Sequence, residues 1–93
     1  MDADTGITEM DLQGKGVSDF SDLVELLVQH KNLAKLNLAN NQLTEVPYEV
    51  SRLSGLTEIN LIDNPIENFH EAVLALKTLP KLHTLSINLH DEA

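Results

Sequence analysis

The stretch Leu33-Ala34-Lys35-Leu36-Asn37-Leu38-Ala39-Asn40-Asn41-Gln42-Leu43 decides how this chain folds. Its pattern returns as Leu56-Thr57-Glu58-Ile59-Asn60-Leu61-Ile62-Asp63-Asn64-Pro65-Ile66. In both stretches apolar residues fill the first, fourth, sixth and eleventh slots, and asparagine fills the ninth. Apolar residues two apart share one face of a strand, so Leu36 and Leu38 are expected to point inward and Lys35, Asn37 and Ala39 outward. Asn41 and Asn64 stand where the chain turns off the strand and leaves backbone groups without partners. A side-chain amide can donate and accept there at once. One such unit cannot bury its own leucines, whereas stacked neighbours share a continuous core.

Working outward, an earlier copy runs Ile7, Met10, Leu12, Lys15, Val17, Phe20, with lysine in the asparagine slot. A later one runs Leu82, Leu85, Ile87, His90. The copies are spaced by about 26, 23 and 26 residues, within the range for repeats of this kind. This pattern resembles the leucine-rich repeat family over nearly the whole chain. The resemblance implies a single α/β domain over residues 1–93, a solenoid of about 3.5 repeats, with parallel strands on a concave side and helices or short turn segments on the convex side. The repeats fall approximately at 7–32, 33–55, 56–81 and, incomplete, 82–93. In that family the asparagine slot forms a structural ladder, which assigns Asn41 and Asn64 to stability. The chain mixes typical and longer helical repeats of the intracellular kind, and no subfamily is assigned.

The segments between the strands differ. Asp22 with Glu25 reads as a capping pair, with Leu23, Leu26 and Leu27 on one helical face. Asn68 with Glu71 reads the same way, with Val73, Leu76 and Leu79 as the buried stripe and Pro80 ending the helix at Leu79. Between them Val46-Pro47-Tyr48-Glu49-Val50-Ser51-Arg52-Leu53 is shorter, with Pro47 in a first-turn position and Gly55 at the exit. It resembles the corresponding stretch of the typical intracellular repeat.

Composition narrows the function. Ninety-three residues hold 17 Leu and 8 Asn, with two Phe, one Tyr and no Trp, so leucine fills the interior. Six Lys plus Arg against fifteen Asp plus Glu give a formal charge of −9. Sparse, scattered cations argue against a nucleic-acid partner. No apolar run approaches the roughly 18 residues of a membrane span. The absence of Cys excludes a thiol nucleophile and a Cys-based metal site. With no N-x-S/T acceptor and an acidic Met1-Asp2-Ala3-Asp4 start, the expected location is cytoplasmic, with the nucleus as the alternative.

Catalytic signals are missing. Gly14-Lys15-Gly16 lacks the following Ser or Thr and the helix start that a phosphate loop needs, and it reads as a turn. His30, His70, His83 and His90 form no i, i+4 pair, and His90-Asp91-Glu92 reads as a solvated chain end. The expectation is therefore a chain that is not an enzyme, with no cofactor and no metal.

Binding has more support, because outward side chains of a curved parallel ladder form one contiguous surface. The expected partner-binding residues are Glu9, Asp11 and Gln13 from the first strand, Lys35 and Asn37 (with Ala39 and Asn40 beside them) from the second, Glu58, Asn60, Ile62 and Asp63 from the third, and Thr84, Ser86, Asn88 and Leu89 from the fourth. Four carboxylates against one lysine make this face acidic and suit a protein partner with a basic or mixed polar face. Ile62 and Leu89 are candidate apolar anchors.

Leu79-Pro80-Lys81-Leu82-His83-Thr84-Leu85 matches a stretch after which compact intracellular members of the family continue into a capping segment. Here the expectation is a C-terminal strand edge covered by further chain or by another subunit. The functional expectation is a non-catalytic protein–protein interaction module, an adaptor or subunit. The alternatives are a substrate-selecting regulatory subunit of an enzyme such as a phosphatase or ubiquitin ligase, or a structural or assembly subunit of a large complex such as an axonemal one.

Overall fold

The computed structural model describes residues 6–88. Four strands of three residues each, β1 (Glu9–Asp11), β2 (Lys35–Asn37), β3 (Glu58–Asn60) and β4 (Thr84–Ser86), form one parallel sheet in chain order. Their register aligns equivalent slots: Met10, Leu36, Ile59 and Leu85 lie in one row, flanked by Glu9-Lys35-Glu58-Thr84 and Asp11-Asn37-Asn60-Ser86. Parallel neighbours require a crossover. Helix α1 (Phe20–Leu27), a 3₁₀-helix (Tyr48–Arg52) and helix α2 (Phe69–Leu76) supply the three in turn.

Helix α1 buries Phe20, Leu23, Val24 and Leu27, an i, i+3, i+4, i+7 series. That stripe starts at Phe20 and leaves Leu26 on a flank, 63% exposed, which corrects its expected place in the core. The cap also lies three residues earlier than expected. Asp19 Oδ1, not Asp22, accepts the first-turn N–H, from Asp22 at 3.1 Å.

In α2 the expected cap is present, with Asn68 Oδ1 accepting from Glu71 N–H at 3.1 Å. Leu76 and Leu79 are buried, as are Ala72 and Ala75, while Val73 is half-buried. The helix stops at Leu76, ahead of the expected Leu79. Thr78 and Leu79 donate to Ala75 and Leu76 at 3.1 Å each, so the last turn tightens to i→i+3 bonding before Pro80 is reached. Pro47 caps the 3₁₀-helix from outside instead of occupying its first turn, with its carbonyl taken by Val50 N–H at 3.0 Å. At Gly55 a Cβ would lie 3.3 Å from the Leu33 carbonyl oxygen, so the exit turn passes close to the start of its own unit.

Apart from Phe20 the core is aliphatic, with Leu38, Leu43, Val50, Leu56 and Leu61 fully buried between the sheet and the helices. Asn41 and Asn64 are the buried polar side chains of the described residues. Asn41 Oδ1 accepts from Lys15 and Val17 N–H at 3.0 and 2.9 Å, and its Nδ2 donates to the Leu12 and Leu38 carbonyls at 2.9 Å each. Asn64 repeats this one unit on, accepting from Leu43 N–H at 3.0 Å and donating to the Leu38 and Leu61 carbonyls at 2.8 and 3.1 Å. Each asparagine thus closes the turn of the unit before its own. Low-dielectric burial makes such satisfied bonds valuable and unsatisfied ones costly.

Candidate functional site: the outward face of the sheet

The outward side chains of all four strands line a shallow cavity of about 420 Å³. Of the residues expected to bind a partner, Glu9, Asp11, Lys35, Asn37, Glu58, Asn60, Thr84 and Ser86 line it. Gln13, Ile62, Asp63 and Asn88 lie beyond the strand ends, outside the cavity. Leu89 falls outside the described residues. Ala39, expected outward, is buried past the strand end, where the turn begins, and its carbonyl accepts from Gly14 N–H at 3.0 Å and Asn41 Nδ2 at 3.2 Å.

Charge on this face is uneven. Lys35 Nζ lies 3.3 Å from Glu58 Oε2, an ion pair bridging β2 and β3 at the centre of the cavity. It leaves the anionic character on β1, in the exposed side chains of Glu9 and Asp11. At the other end Asn60, Thr84 and Ser86 offer only amides and hydroxyls. The acidic face expected from the outward slots, four carboxylates against one lysine, is therefore graded along the strands, anionic at β1 and neutral polar at β4.

Short-range hydrogen bonds preorganise the lower row. Asp11 Oδ1 accepts from Gln13 N–H at 3.1 Å, Asn37 Oδ1 from Ala39 at 3.0 Å and Asn60 Oδ1 from Ile62 at 3.0 Å. Each side chain is held against its own turn, an i→i+2 closure open to Asp and Asn. Asn37 Nδ2 then donates across strands to Gln13 Oε1 at 3.2 Å. One residue beyond, Gly14, Asn40 and Asp63 occupy equivalent slots with φ of 66°, 58° and 63°. The sequence signal for this left-handed slot was its filling by Gly, Asn and Asp, the residues that tolerate such backbone. Asp63 N–H donates to Asn88 Oδ1, which ties the third turn to the fourth. Asp63 is thus a turn residue as well as a surface charge.

Among the described residues no group of three or more His, Asp or Glu side chains could hold a metal ion. Nor is any helix among the described residues long and apolar enough to cross a membrane.

Comparison with known proteins fits this geometry. The human podocan-like protein 1 is 37% identical over 82 residues, which cover 87% of this chain. A solved structure of a Leptospira interrogans LRR (leucine-rich repeat) protein superposes on 68% of the chain at 38% identity with a TM-score of 0.52. The chain belongs to the leucine-rich repeat family. No family model matches it. A chain from the structure of the Chaetomium Mex67:Mtr2 subunits superposes on 85% of this leucine-rich repeat chain, with 25% identity and a TM-score of 0.69, and 53% of that chain is covered. The chain spans 15% of the length of podocan-like protein 1 and 15% of the Leptospira protein. Leucine-rich repeat spacing accounts for the slot-by-slot register of the four strands and for the two buried asparagines.

Proposed function

We propose that the chain is a non-catalytic protein-interaction module, a leucine-rich repeat solenoid of about 3.5 repeats that holds a protein partner on its concave face. The observation that carries this reading is the cavity lined by all four strands, with its charge graded from β1 to β4. A partner that fits it presents Lys or Arg over Glu9 and Asp11 and hydrogen-bonding groups over Asn60, Thr84 and Ser86. A formal charge of −9 supports a protein partner over nucleic acid or an anionic membrane surface. Membership in a complex, as adaptor or subunit, has support from the likeness to the Mex67:Mtr2 subunits. The cytoplasm is the proposed location, in keeping with the absence of cysteine.

Affinity purification of the full chain, followed by mass spectrometry, identifies what it binds, and paired variants locate the contact. Asp11→Arg with Asn60→Arg is expected to abolish capture of that partner, while Lys77→Glu at the end of α2 leaves it intact. Equal capture by the wild type and the concave double variant, with the fold retained, overturns the reading.

A further inference from the structure

The convex side carries a feature that the concave reading does not use. The 3₁₀-helix and α2 enclose a hollow of about 240 Å³. Its floor is Ala72 and Ala75, which α2 turns toward the 3₁₀-helix, and its walls are Pro47, Tyr48, Glu45 and Glu71. Tyr48 is 64% exposed, the most exposed of the large apolar side chains in the described residues. It makes no side-chain hydrogen bond there. In α1 the slots equivalent to Ala72 and Ala75 hold Leu23 and Leu26, so the alanines leave space beside an aromatic ring where bulk was available.

We propose that this hollow is a second interaction surface, one that takes an arginine or lysine side chain of a protein partner. The aliphatic stem of such a side chain packs on Pro47 and the alanine floor. Its cationic head lies against the Tyr48 ring and between the Glu45 and Glu71 carboxylates, combining cation–π attraction with charge. The first turn of α2 opposes a cation with its positive dipole end, about half an elementary charge. Two full carboxylate charges at the rim outweigh it. They exclude an anion by the same arithmetic. The inference does not depend on what the concave face binds.

The test is an NMR titration of the full chain with a short acetylated, amidated peptide carrying one arginine next to one leucine. Amide shifts are expected at Tyr48, Glu71, Ala72 and Ala75. Replacing the arginine by neutral, isosteric citrulline is expected to weaken binding by about tenfold, as is Glu45→Gln with Glu71→Gln, from the loss of two exposed charge contacts. Tyr48→Ala, at an exposed position that leaves the fold unchanged, is expected to weaken it by about threefold. Shifts confined to the concave strands, or equal affinity for the citrulline peptide, overturn the proposal.

Discussion

Asn41 Oδ1 lies 2.9 Å from the backbone nitrogen of Val17, so a side chain of the second unit closes the turn of the first. The same oxygen holds Lys15 N–H, and the amide nitrogen donates to the Leu12, Leu38 and Ala39 carbonyls. One residue therefore makes several of the bonds that join the first two units. Asn41→Ala strands two part-buried donors, the Lys15 and Val17 N–H groups, and the Leu12 carbonyl, and about 2 to 4 kcal/mol of destabilisation is expected in urea unfolding. Hydrogen exchange at Lys15 and Val17 is expected to accelerate ahead of exchange at Leu56.

Leucines on different elements differ sharply in burial. Leu61 is fully buried while Leu26 is 63% exposed. Leu61→Ala is expected to cost about 2 to 5 kcal/mol through lost contact and a residual cavity. Leu26→Ala is expected to change stability by under about 0.5 kcal/mol. Chemical denaturation of the two variants separates them.

The left-handed turn slot makes a second demand on residue type. Asn40 and Asp63 hold φ of 58° and 63°. Asn40→Val is expected to destabilise by about 1 to 2 kcal/mol, because a β-branched residue is strained there. Asn40→Gly is expected to be close to neutral. Thermal melts of the pair give the comparison.

Capping of α1 by Asp19 predicts that Asp19→Ala lowers stability by about 1 kcal/mol. Asp22→Ala, which removes no cap, is expected to have a much smaller effect. Helix signal in circular dichroism and the unfolding midpoint check both.

The Lys35–Glu58 pair predicts a different kind of effect. Both side chains are substantially exposed, at 52% and 37%, so Lys35→Ala is expected to change stability by under about 1 kcal/mol. Association with a basic partner is expected to quicken and to become more salt-sensitive, since Glu58 is released from its neighbour. Stopped-flow binding at low and high salt reads this out.

Much of the fold was legible from residue order. The slots of Leu36, Leu38, Leu56, Ile59 and Leu61 encode inward faces, because a strand repeats every two residues. The slots of Asn41 and Asn64 encode turns with unpaired backbone, because one amide can satisfy both donors and acceptors. The cap at Asn68 was also readable. The cap of α1 was not, since Ser18, Asp19, Ser21 and Asp22 all lie near the helix start and only the stripe beginning at Phe20 selects among them.

The candidate site divides along the same line. Outward placement of Glu9, Asp11, Lys35, Asn37, Glu58, Asn60, Thr84 and Ser86 follows from alternation within each strand, a local property. Which of them share a cavity, and which neutralise one another, depends on register between strands far apart in sequence. That register brings Lys35 to Glu58 and turns an acidic composition into a graded surface. Residues past the strand ends escape alternation altogether: Ala39 is buried and Asp63 is committed to its turn, because turn geometry sets their direction. The hollow beside Tyr48 was equally invisible in the sequence. Local periodicity determines which residues face in, and only the packing of separate units decides which outward residues meet.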